Sequence, residues 1–150
     1  MSKDPIASPA GYLETYRGIV MPEQVDAFGH MGTTHYMAMF TEALGQLYGQ
    51  CGFPIPQLLA DGSVLVAVEQ TIRYQRELRA LEMVTIESAF LHVGEKSARL
   101  RHRMLKGPAG ELCATFEQVS VHFSLTERRS TGIPPAMRAQ ITAHLVADPG

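Results

Sequence analysis

The hydrophobic period changes several times along the chain, and each change marks an element. From Tyr12, residues Leu13, Thr15, Arg17, Ile19 and Met21 alternate with Glu14, Tyr16, Gly18 and Val20, the repeat of a β-strand. Pro22 ends it, because proline cannot donate to a ladder. Between Thr34 and Tyr48 the period becomes helical, with Tyr36, Met39, Phe40, Ala43, Leu44 and Leu47 recurring at three- and four-residue steps. Glu42 is the only charged residue of that stretch, so the helix is expected to be enclosed on most sides. Gly49, Gly52, Pro54 and Pro56 stop it, and Gln57 to Ala60 leave room for only a short extra turn.

Beyond Asp61-Gly62 the chain reads as β almost to its end. Val64, Val66, Val68, Ile72 and Tyr74 predict one long strand, and Val84, Ile86 and Phe90 predict another. Ala98, Leu100, His102 and Met104 then interleave with Arg99, Arg101 and Arg103, giving one apolar and one cationic face. Lys106-Gly107-Pro108-Ala109-Gly110 is a turn, Leu112 to Phe123 the last strand, and Pro134-Pro135 open a closing helix with Met137, Ile141 and Leu145 on one side. The predicted class is α+β: a curved antiparallel sheet of about five strands wrapped round one central helix, with a small C-terminal helix. Residues 1–11, with two prolines and small polar residues, read as a flexible arm, and 12–150 as a single domain.

Composition narrows the function classes. A chain of 150 residues can bury a core of its own, and a net charge of -2 with pI near 6.3 gives no electrostatic case for a nucleic-acid partner. The first residues lack the apolar stretch of a secretory signal, and the densest apolar run, Val64 to Val68, is too short to span a bilayer. The expected setting is cytoplasmic, with no membrane partner. Cys51 and Cys113 show no CxxC spacing and are expected as free thiols that are poor nucleophile candidates. The six histidines are scattered, so neither a metal site nor a cofactor is expected.

The candidate chemistry lies in Gln24 to Tyr36, between the first strand and the helix. The first N–H groups of a helix, here near Thr33 and Thr34, have no intrahelical acceptor and can stabilise an oxyanion. Asp26, a few residues earlier, can attack a carbonyl or deprotonate a water. Gly29 and Gly32 allow tight turning and close approach to a ligand, and Thr33 or Thr34 can cap the helix. The plainer reading makes Asp26 a turn residue, His30 a group that satisfies backbone, Tyr36 core, and Glu42 a surface group and not a second catalytic carboxylate.

Asp26, Gly29, His30 and Tyr36, with Glu42-Ala43 farther along, resemble the signature of hotdog-fold acyl-CoA thioesterases of the 4-hydroxybenzoyl-CoA thioesterase type. Tyr74-Gln75-Arg76-Glu77-Leu78 and Ile133-Pro134-Pro135 extend the resemblance to roughly residues 12 to 146. Gln24 departs from it where many members carry an acid, and so does Gly32-Thr33 where asparagines are usual. The resemblance implies a hotdog fold that hydrolyses acyl-CoA to free acid and CoA. Asp26 would be nucleophile or general base with His30 and Thr33 beside it, and Gly29, Tyr36, Arg73 and Arg76 would bind substrate. It also implies sites at subunit interfaces, hence a homodimer or homotetramer joined along Val64 to Tyr74. Arg73, Arg76, Arg79, Arg99, Arg101 and Arg103 are candidates for the CoA phosphates, or else a solvated strand face. The segment from Cys51 to Ser63, with Phe53, Ile55 and Leu58, is expected to line or cover the acyl pocket. The alternatives are a hydratase or dehydratase using His30 with Glu42, and a non-catalytic acyl-CoA-binding module. The sequence leaves the acyl group open.

Overall fold

A computed structural model describes residues 11–148, so all but the last residue of the predicted arm lies outside the described residues. The first alternating run forms β1 (Leu13–Ile19), the helical run α1 (Thr33–Gln50), and the Pro-rich stop a short α2 (Ile55–Ala60). Four strands follow: β2 (Ser63–Tyr74), β3 (Met83–Val93), β4 (Ser97–Lys106) and β5 (Glu111–Ser124). A two-residue β6 (Arg129–Ser130) and α3 (Pro135–Ala143) close the chain. The sheet is antiparallel in the order β1-β3-β4-β5-β2, with β6 on β5, so the two strands that flank α1 in sequence form opposite edges.

Curvature has an identifiable source. The register shifts at Glu14/Tyr16 in β1, at Ala67/Glu69 in β2 and at Phe90/His92 in β3, and each extra residue bends its strand and increases the local twist. The bent sheet folds its apolar face round α1, as expected from the sequence. Ala98, Leu100, His102 and Met104 of β4 are buried beneath the helix, while the interleaved arginines face outward. Tyr36, Met39, Phe40, Ala43 and Leu47 of α1 meet them, and the Phe40 ring stacks on Phe116 with centroids 5.1 Å apart.

Three expectations need correction. The helix is less enclosed than its single charge suggested, since Thr41, Glu42 and Gln46 lie exposed on one side. Its N-cap is Gly32, not Thr33 or Thr34, with no side-chain cap. Phe53 and Leu58 are buried in the core, Phe53 against Tyr48 and Phe90, and of the three residues expected to line a pocket only Ile55 stays exposed. Among the described residues no helix is long and apolar enough to cross a membrane.

One polar chain runs through the core. His102 is fully buried against the rings of Phe40 and Phe116, and its Nδ1 lies 2.5 Å from Ser88 Oγ, which in turn lies 2.7 Å from Thr15 Oγ1. Burial holds the imidazole in its neutral form, with its pKa pushed down to about 3.

Candidate active site

The segment before α1 folds as a tight hairpin. Asp26 N–H donates to His30 O at 2.9 Å, Gly29 N–H to Asp26 O at 3.0 Å and Gly32 N–H to Gln24 O at 2.9 Å, with Val25 bridging Met31. Gly29 sits at φ +83°, the left-handed region that favours glycine, and nothing lies within 4 Å of where its Cβ would be. Its need is conformational. Met31 anchors the hairpin: its side chain is buried and its N–H donates to Leu78 O at 2.7 Å. That bond ties the hairpin to the segment leaving β2.

Asp26 is exposed at the hairpin tip, where its Oδ1 accepts the Phe28 N–H at 2.8 Å. This short-range bond fixes the carboxylate in an Asx turn and leaves its other oxygen for chemistry. Because Gly32 caps the helix, Thr33 and Thr34 are its first residues, and helix geometry gives their N–H groups no intrahelical acceptor. Together they form the positive end of the helix dipole. Asp26, His30, Thr33 and Tyr36 line one open groove of about 440 Å³, shared with Phe28, Met31, Tyr74, Gln75, Arg76 and Glu77.

The groove contains residues the sequence did not single out. His30 Nε2 lies 2.5 Å from Glu77 Oε2, and Arg79 Nη2 donates to the other oxygen of that carboxylate at 2.9 Å. The Arg79 hydrogen bond, with smaller help from His30 and Lys106, holds the Glu77 carboxyl below its usual range. Tyr36 and Tyr74 meet edge to face, with ring centroids 5.1 Å apart and planes at 87°. Burial pushes the Tyr36 phenol up to about 12, so it stays neutral. Phe28 stands 84% exposed at the lip. Its only sequence signal was its place inside the Asp26–His30 motif, while Tyr74 and Glu77, some fifty residues on, belonged to the Tyr74-Gln75-Arg76-Glu77-Leu78 part of the resemblance without being singled out as site residues.

Two predicted substrate contacts are not brought together. Arg76 lines the groove, 2.5 Å from Glu111, whereas Arg73 lies in a second depression with Arg99, Arg101 and Arg103. There Arg99 and Arg101 pair with Glu117 and Asp148, and Arg103 with Glu87, as a solvated and largely neutralised strand face would. Glu42 lies in a different groove beside Glu14 and Arg17, away from Asp26. Cys51 and Cys113 are buried free thiols, with burial pushing the first up to about 11 and the second up to about 12, which suits neither for attack.

A family model for the Thioesterase-like superfamily matches residues 20–141, from the hairpin through α3. The chain belongs to this superfamily. It is similar to the betainyl-CoA thioesterase of Pseudomonas aeruginosa, 27% identical over 131 residues that cover 87% of this chain and 82% of that protein. It is 31% identical over 113 residues to the L-carnitine dehydrogenase/betainyl-CoA thioesterase of Agrobacterium fabrum, covering 75% of this chain but 23% of that much longer protein. Among solved structures, a Staphylococcus aureus protein in complex with CoA superposes with a TM-score of 0.81 at 19% identity, over 96% of this chain and 91% of that one. A gentisyl-coenzyme A thioesterase superposes with a TM-score of 0.74 at 23% identity, over 84% of this chain and 98% of that one. These likenesses identify the hotdog fold, and this member of the thioesterase-like superfamily is a thioester hydrolase.

Proposed function

We propose that the protein hydrolyses acyl-CoA thioesters at the groove bounded by Asp26 and the first turn of α1. The observation that carries this reading is the fixed carboxylate: Phe28 N–H holds Asp26 Oδ1 at 2.8 Å, in a groove that Thr33 also lines. A thioester carbonyl seated there points its oxygen at the N–H groups of Thr33 and Thr34. The Asp26 carboxylate either takes a proton from the attacking water or attacks the carbonyl itself. The oxyanion then collapses, the C–S bond breaks, and CoA leaves as a thiolate that takes up a proton. In the base route the water has already become the acid's hydroxyl, and in the nucleophile route a second water hydrolyses the mixed anhydride on Asp26 to release the acid and restore the carboxylate. His30, held by Glu77, faces the same space. The resemblance to the 4-hydroxybenzoyl-CoA type rests on the order of Asp26, Gly29, His30 and Tyr36; the curated relatives point instead to betainyl as the acyl group.

Thiol release across a panel of betainyl-, short, long, branched and aromatic acyl-CoAs tests this reading. Hydrolysis of at least one, best with a small acyl group, is expected, and no thiol release from any of them contradicts it. The working assembly is at least a homodimer joined along β2, an edge strand that exposes Val66 and Val68. Light scattering of the purified chain checks this, and a fully active monomer contradicts it.

A further inference from the structure

We infer that Phe28 and Tyr74 are specificity-determining residues that offer two ring faces to a quaternary ammonium on the acyl group, with Tyr36 bracing Tyr74. This inference rests on the thioesterase reading above and deepens it by naming the groups that choose the substrate.

A quaternary ammonium offers no N–H, so hydrogen bonds cannot select it; ring faces and nearby negative charge can. The groove supplies both. Tyr36, buried, meets Tyr74 at 87° with centroids 5.1 Å apart, so it braces the half-exposed Tyr74 ring at the groove wall. Phe28 supplies a second ring on the same turn as Asp26, and its 84% exposure leaves that ring in water until something covers it. Asp26 places a carboxylate on the groove wall, which offsets the positive end of α1. The basic side chains at the wall are already engaged, Arg76 with Glu111, and His30 and Arg79 with Glu77.

The dimensions agree. In a betainyl thioester one methylene separates the carbonyl carbon from nitrogen, so the cation sits about 2.5 Å from the reacting carbon by ordinary bond lengths. A carbonyl held at Thr33 therefore places its cation in the same groove. Tyr36 is three residues after Thr33, one turn along the same face of α1.

Replacing the nitrogen by carbon gives 3,3-dimethylbutanoyl-CoA, which has the same shape and no charge, so comparing the two thioesters isolates the cation. The full-length protein, Tyr74→Phe, Tyr74→Leu and Phe28→Leu are compared by kcat/KM on both. The wild type is expected to prefer betainyl-CoA by about tenfold or more. Tyr74→Phe, which keeps the ring face, retains most of that preference, whereas Tyr74→Leu and the surface change Phe28→Leu each lose severalfold of it. A purely structural role would lower both rates together and leave the ratio unchanged. Equal rates for the two thioesters in the wild type overturn the proposal, as does a preference that survives in both leucine variants. Hydrolysis of other acyl-CoAs with neither of these two overturns it as well. Hydrolysis of none would refute the thioesterase reading beneath it.

Discussion

His30 Nε2 lies 2.5 Å from Glu77 Oε2, a contact that joins the hairpin before α1 to the segment after β2 across the groove mouth. If Glu77 serves only to hold the imidazole, its effect must pass through His30. Glu77→Gln is then expected to lower kcat about fivefold, and His30→Gln somewhat more. The double variant should be no worse than His30→Gln alone, because residues acting as one unit are not additive. Steady-state kinetics on the four proteins checks this, and multiplicative losses would show that the two act separately.

Of the two arginines expected to bind substrate, Arg73 and Arg76, only Arg76 shares the groove with Asp26. Phosphate contacts hold ground state and transition state about equally, so Arg76→Glu should raise KM about tenfold with little change in kcat. Arg73→Glu, in the depression with Arg99, Arg101 and Arg103, should leave both parameters near the wild type. The reverse pattern would move the CoA phosphates to that outer face.

β4, β5 and α1 were legible because each buries one face, and burying one face writes a period of two or 3.6 into the sequence. The Arg99, Arg101 and Arg103 alternation is the clearest case. The bulges that curl the sheet leave no such mark, nor does β6, whose two residues are too short to carry a period. At the site, Asp26, His30 and Thr33 were readable because they lie within eight residues of one another. Glu77 and Tyr74 reach the groove through pairings between distant segments, the Met31 N–H bond to Leu78 O and the His30–Glu77 and Tyr36–Tyr74 contacts, which sequence spacing cannot encode. Phe53 and Leu58 misled for a related reason: an apolar residue after a helix stop reads the same whether it lines a pocket or fills a core.

Stability should respond to acid through His102. The imidazole is neutral in the fold down to about pH 3, whereas in the unfolded chain it titrates near 6.5. Between those values the unfolded state binds the extra proton, so this contribution is intact above about pH 6.5 and is lost progressively as pH falls toward 3. Urea unfolding at pH 7.5 and pH 5.0 compares the wild type with His102→Phe, which removes the titrating group. The stability of wild type relative to the variant should drop by about 2 kcal/mol over that interval. Parallel losses in the two proteins would contradict the burial argument.

The central claim is that the charge of Asp26 performs the chemical step. Asp26→Asn tests it most directly, because an asparagine Oδ1 can still accept the Phe28 N–H and preserve the turn. On the best acyl-CoA substrate, kcat should fall by about two orders of magnitude or more, with the melting temperature shifted by no more than about 2 °C. Glu42→Gln, a change in a separate groove, serves as the control and should keep its turnover. Near-normal turnover in Asp26→Asn would reduce the carboxylate to a turn residue and contradict the mechanism.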